Sequence, residues 1–127
     1  MQLPVTLKGI VSSGNRIGRR FGMPTANIIP EEEYENLSFG VYYSTVKIGD
    51  ETYPAITNLG VKPTVSDDGR VCAETYIYDY DGDLYDKIIS VTLHEFRRPE
   101  ARFASLDELY GTVEEDFRAG RAYHRLP

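Results

Sequence analysis

The sequence predicts a single all-β domain finished by one C-terminal helix. Three observations carry this expectation. Ten Tyr and five Phe, with no Trp, fall mostly in segments where apolar and polar residues alternate with a period of two, the pattern of half-buried strands. Clusters of Gly, Asn, Asp and Pro separate those segments and turn the chain within a few residues. Only one segment has a helical period, and it lies near the end. At 127 residues the chain can bury one core and not two, so a single domain over 1–127 is expected.

The first strand starts at Val5, where Val5, Leu7, Gly9 and Val11 alternate with Thr6, Lys8, Ile10 and Ser12 before a Ser-Ser-Gly-Asn turn at 12–15. A second covers roughly 40–48, and Gly49-Asp50 turns it into a third over 52–58, a hairpin. Residues 70–80 alternate again, as do 87–96, with an acidic turn at 79–83 between them that predicts a second hairpin. Short strands joined this way close into a barrel or pack as a sandwich, which removes exposed edges. The helix opens on Ser105-Leu-Asp-Glu108, a capping box. Leu106, Leu109, Tyr110, Val113 and Phe117 then form one apolar face, and Gly120 is the expected stop. Gly111 inside it costs about 1 kcal/mol relative to Ala, so the helix depends on packing. The stretch 12–35 is the most irregular and is long for a plain connection, which makes it a candidate functional loop.

Fourteen Lys plus Arg against twenty Asp plus Glu leave a net charge of −6. This opposes wholesale attraction to nucleic acid or anionic lipid, so neither is an expected partner. The acidic groups at 31–33, 67–68, 79–86 and 114–116 read as solvated loops and helix faces. Cys72 is the only cysteine and cannot pair within the chain, which suits a reducing compartment and a buried, inert thiol. No apolar run approaches a membrane span, and residues 1–4 lack the regions of a secretory signal, so a cytoplasmic location is expected. His94 and His124 have no second ligand at zinc-site spacing.

The richest segment runs from Gly14 to Asn27. Gly14, Gly18 and Gly22 allow positive φ and close approach of the backbone to a ligand, while Arg16, Arg19 and Arg20 bring charge suited to phosphate. It is not a Walker loop, because no Lys-Ser or Lys-Thr follows a glycine at the required spacing. A ligand-free surface loop would show the same letters. Thr25 and Asn27 add neutral oxygens two residues apart on one side of an extended chain, suited to a hard cation such as Mg²⁺. The bland alternative is a local bend set by Pro24 and capped by Asn27.

Gly9-Ile-Val11 with Gly14, then Gly18-Arg-Arg-Phe-Gly22-Met-Pro24-Thr25-Ala-Asn27, resembles the opening of the riboflavin kinases. The ordered series continues with Gly40-Val-Tyr42, Asn58-Leu-Gly60, Pro63-Thr64, Glu74-Thr75, Asp83-Leu-Tyr85 and Phe96-Arg-Arg98-Pro-Glu100 with Phe103 and Ser105-Leu106. It covers roughly 9–117. The resemblance implies a six-stranded antiparallel Greek-key β-barrel with a C-terminal helix. It also implies transfer of the ATP γ-phosphoryl group to the terminal ribityl hydroxyl of riboflavin, giving flavin mononucleotide and ADP. By motif position, Thr25 and Asn27 correspond to Mg²⁺ and phosphate ligands, Gly14 and Arg19 to a flap over the nucleotide, and Tyr85 to an ATP-side residue. Glu74 corresponds to the catalytic base, and Arg98, Glu100 and Phe103 to the flavin side.

Chemistry gives these correspondences meaning. An alcohol is a poor nucleophile at neutral pH, and a carboxylate within hydrogen-bond reach can orient it and take its proton. By parity alone, the face carrying Cys72, Glu74, Tyr76 and Tyr78 is expected to point to water; the resemblance reverses that. A guanidinium plane and a phenyl ring can stack on a flat heterocycle. The competing expectation is an Arg98–Glu100 surface pair with Phe103 in the core. The enzymatic reading requires Glu74 and the Thr25/Asn27 pair to face one another across the fold.

The chain departs from the family pattern at Tyr76, where His is common, and at Asp86, where Gly is common. Many bacterial members also carry an N-terminal adenylyltransferase domain that has no counterpart here. A monomer is expected, either as a stand-alone kinase or as one domain of a bifunctional chain. Two other readings stand beside the kinase: a non-catalytic flavin or nucleotide sensor on the same fold, and a small barrel binding single-stranded nucleic acid through aromatics, which the −6 charge opposes.

Overall fold

A computed structural model describes residues 3–12, 21–32, 34, 36–61 and 69–127. Six strands precede one helix: β1 (Val5–Ile10), β2 (Thr25–Ile28), β3 (Gly40–Ile48), β4 (Glu51–Val61), β5 (Val71–Ile77), β6 (Ile88–Pro99) and α1 (Leu106–Tyr123). All pairings are antiparallel, in the order β1-β6-β3-β4-β5-β2. Strands β3, β4 and β5 lie side by side and β6 returns beside β3, which is a Greek key. The sheet curls until its edges meet. There the Ser12 N–H donates to the Asn27 carbonyl at 2.8 Å and the Glu31 N–H to the Lys8 carbonyl at 2.8 Å, so neither edge is left as an open template.

The structure corrects three expectations of the local pattern. The second hairpin does not form between β5 and β6, because β4 and β2 occupy both sides of β5 while β6 crosses to β3 and β1. Residues 25–28, read as loop, form β2, a strand too short for alternation to show. Gly120 does not stop the helix, which runs on to Tyr123 with His124 as its C-cap. Its lack of a side chain serves packing instead, since a Cβ there would overlap the Tyr78 hydroxyl.

Alternation along the strands builds two apolar layers. Leu7, Ala26, Ile28, Tyr42, Val46, Leu59, Ala73, Ile77, Val91 and Leu93 fill the barrel interior. Three hydroxyls are buried there as well and satisfy one another, Ser44 to Thr57 at 2.8 Å and Thr57 to Thr75 at 2.9 Å. The opposite face of β3, β4 and β5 carries Val41, Ile56, Tyr76 and Tyr78, which pack with Met23 under Phe117 of α1. Ser105 caps the helix by accepting from the Glu108 N–H at 3.2 Å, and the Glu108 carboxylate reaches back to the Ala104 N–H at 3.1 Å. Leu106, expected on the buried face, is 65% exposed, because the helix meets the sheet only from its second turn. No helix among the described residues is long and apolar enough to cross a membrane.

Candidate functional site

The face covered by α1 also holds the polar residues. Glu74 on β5 lies directly opposite Asn27 on β2 and Asn58 on β4, and directly opposed residues of antiparallel strands project to the same side. Asn27, Glu74 and Asn58 therefore form a row across three strands. Thr25 opposes Tyr76 in the next rung, so all five share one face. Glu74 and the Thr25/Asn27 pair, 47 or more residues apart, are thus brought side by side. Parity alone put this face in water; it is covered by the helix and the chain between β6 and α1, leaving Glu74 only 2% exposed.

Burying a carboxylate is costly unless donors face it. Tyr76 answers part of that cost, its hydroxyl donating to Glu74 Oε1 at 2.6 Å. Burial, then the neighbouring Glu74 charge and this bond, push the Tyr76 phenol far above its usual range, so it remains a proton donor at working pH. Its ring meets Phe117 edge-on at 5.0 Å, which fixes it against the helix. The departure from His to Tyr thus keeps a hydrogen-bond donor beside the acid.

Glu74 and Asn58 lie in a cleft of about 370 Å³ whose other walls include Tyr76, Arg98, Glu100, Phe103, Leu109 and Val113. Four of the expected residues, Glu74, Arg98, Glu100 and Phe103, therefore come together. Phe103 belongs to neither apolar cluster and is half-buried on the cleft wall, against the core alternative. Gly60 lets the Glu100 carboxyl lie against β4, where a Cβ would overlap it. Arg98 pairs with Asp116 of α1 rather than with Glu100, its Nη2 reaching Oδ2 at 2.6 Å.

Tyr85 does not join this cleft. It is 44% exposed and lines a separate open depression of about 650 Å³ with Val11, Ser12, Ile29, Glu31 and Asp86. Gly14 and Arg19, with Pro63 and Thr64, lie outside the described residues.

For a cation the donors are sparse but of the right kind. Among the described residues the buried Asn27 Oδ1 has no hydrogen-bond partner, and the Thr25 hydroxyl makes one long contact, to the Met23 carbonyl at 3.5 Å. Two neutral oxygens suit a hard cation that brings most of its ligands with it. Among the described residues no group of three or more His, Cys, Asp or Glu is placed to hold a metal unaided.

Two residues of the site escaped sequence reasoning. Asn58 stood in a quoted motif without a role; a strand-disfavoured amide at the parity of apolar Ile56 was the available signal. Asp116, read with its acidic neighbours as solvated, is 4% exposed and accepts from both Arg97 and Arg98. Helical position could have suggested it, since it adjoins Phe117, but its partners lie on another element.

The family model for flavokinase, described as riboflavin kinase, matches residues 1–124. The chain is 39% identical over 119 residues to the bifunctional riboflavin kinase/FMN adenylyltransferase of Pseudomonas fluorescens, covering 94% of this chain and 38% of that protein. A solved structure from Streptococcus pneumoniae, described as a macrolide-efflux protein, superposes with a TM-score of 0.77 at 30% identity over 93% of this chain and 38% of that one. Riboflavin kinase from Trypanosoma brucei superposes with a TM-score of 0.60 at 21% identity over 98% of this chain and 82% of that one, which shows the shared fold.

Proposed function

Because the chain belongs to the riboflavin kinase family, we propose that it phosphorylates the terminal ribityl hydroxyl of riboflavin with ATP as donor, giving flavin mononucleotide and ADP. The observation that carries this reading is the row Asn27–Glu74–Asn58, with Asn27 and Glu74 buried, beside a cleft walled by Arg98, Glu100 and Phe103. Since the chain spans 38% of its Pseudomonas relative, the activity is proposed for this domain alone.

In this reading the flavin ring enters between Arg98 and Phe103, and the ribityl tail extends towards Glu74. Leu109 and Val113 keep water from the buried end of the cleft. Glu74 orients the hydroxyl and accepts its proton as the bond to phosphorus forms. Tyr76 keeps the carboxylate fixed for that role. Thr25 and Asn27 would hold Mg²⁺ together with the nucleotide phosphates, and Tyr85, Gly14 and Arg19 would bind the nucleotide. The ion supplies charge neutralisation of the transferring phosphoryl group, the dominant need of this reaction class.

Incubation of the protein with riboflavin, ATP and Mg²⁺ should yield flavin mononucleotide and ADP; absence of product from folded, Mg²⁺-supplied protein overturns the proposal. Tight riboflavin binding without product would favour the sensor instead. Glu74→Gln is expected to lower kcat by roughly 10²-fold or more with nucleotide binding nearly unchanged. Equal loss of binding would give Glu74 a structural role.

A further inference from the structure

Strand β6 carries two adjacent arginines that would point to opposite faces of a regular strand. Here both reach the same helix. Register against β3 shifts twice: Ser44 opposes Leu93 but Tyr43 opposes Glu95, and Tyr42 opposes Phe96 but Val41 opposes Arg98. His94 and Arg97 are therefore the extra residues of two β-bulges, and the second turns Arg97 towards α1 beside Arg98. Asp116 receives both. Its Oδ1 accepts from Nε of Arg97 and from Nε of Arg98, each at 2.9 Å, and its Oδ2 accepts from Nη2 of Arg98 at 2.6 Å. Arg98 Nη1 donates in turn to the Pro99 carbonyl at 3.0 Å.

Every nitrogen of the Arg98 guanidinium is thus tied to protein, and the group forms part of the cleft wall. Arg97 spends its remaining contact on the Tyr43 hydroxyl at 3.1 Å and does not line the cleft. We infer that Asp116 is a positioning residue for flavin recognition: its two-point grip fixes the Arg98 guanidinium as a flat, preoriented face for the ring system. The inference rests on the proposed flavin-binding role of this cleft. An untethered arginine would lose side-chain freedom on meeting the ring, whereas this one has lost it already in the folded protein. The affinity therefore depends on a helix residue that need not touch the ligand.

The test measures riboflavin affinity by fluorescence quenching and the KM for ATP in the full chain. Asp116→Asn puts an amide where the fork needs a second acceptor, and the riboflavin Kd should rise by roughly tenfold or more. The KM for ATP should stay within about twofold, because the change acts on one substrate only. Arg97→Lys is the structural control; it should lower the Tm while leaving riboflavin affinity intact. In an Arg98→Ala background, Asp116→Asn should cause no further loss of affinity, since the two act as one unit. Wild-type affinity in Asp116→Asn, or an equal loss with and without Arg98, would overturn the inference. If Asp116→Asn does not fold, Arg98→Lys keeps the charge without the fork, and unchanged riboflavin affinity there is equally fatal. Wild-type protein that binds no riboflavin would remove the proposed function itself, and this inference with it.

Discussion

Gly120→Ala reverses the sign of a familiar substitution. In a helix interior, replacing Gly by Ala normally stabilises by about 1 kcal/mol. At Gly120 the new methyl would overlap the Tyr78 hydroxyl and lie 2.9 Å from ring carbon Cζ and 3.2 Å from Cε2. Tyr78 cannot swing away cheaply: it is 1% exposed, and its hydroxyl donates to the Phe117 carbonyl at 2.7 Å. Overpacking costs about 1–3 kcal/mol and a displaced buried hydroxyl about as much again; set against the gain of about 1 kcal/mol in helix propensity, the net loss should be roughly 1–5 kcal/mol. For a domain of this size that lowers the Tm by roughly 4–20 °C. Gly111 provides the control, because a methyl added there, in the same helix, would meet nothing within 4 Å. Gly111→Ala should gain about 1 kcal/mol. Urea unfolding of both variants, followed by far-UV circular dichroism, reads the difference. A Gly120→Ala protein as stable as the wild type, or a destabilised Gly111→Ala, would refute the packing account of the helix.

Three further outcomes are expected. Thr57→Val strands the Ser44 and Thr75 hydroxyls inside the barrel and should cost about 2 kcal/mol in urea titrations, whereas Thr57→Ser should retain most of the stability. Burial and the nearby His124 hold His94 below its usual imidazole value of 6.5, so the unfolded chain binds more protons just below that pH. Stability should be full above pH 6.5 and decline as the pH falls through it, and His94→Gln should flatten the urea midpoint between pH 7 and 5.5; an unchanged slope would contradict this. Calorimetry should show little Mg²⁺ binding to the protein alone and clear binding with ADP present. Asn27→Ala should weaken ADP affinity in Mg²⁺ but not in EDTA; equal weakening in both would deny Asn27 the metal.

Much of the site was legible because family motifs name residue types at fixed order. Glu74, Arg98, Glu100 and Phe103 were singled out from the chain and share one cleft. Tyr85 was placed with the nucleotide and lies in a different depression, a separation that linear order does not carry. Asp116 was misread because its meaning depends on two arginines eighteen and nineteen residues earlier, turned towards it by a bulge. Glu74 shows the same limit. Alternation fixes which neighbours share its face and says nothing of what covers that face.

From the sequence alone came the strand-rich class, the β3–β4 hairpin around Gly49-Asp50 and the capped C-terminal helix. These rest on local physics: side-chain period, turn geometry and a cap that completes itself within four residues. Only the folded chain decided that β5 lies between β4 and β2 rather than beside β6, that Glu74 is buried against Asn27, and that Gly120 admits Tyr78 instead of ending the helix. Each of those is a choice among partners distant in the chain. Such choices are settled by which apolar faces can be buried together, a property of the whole sheet and helix that no short stretch of residues contains.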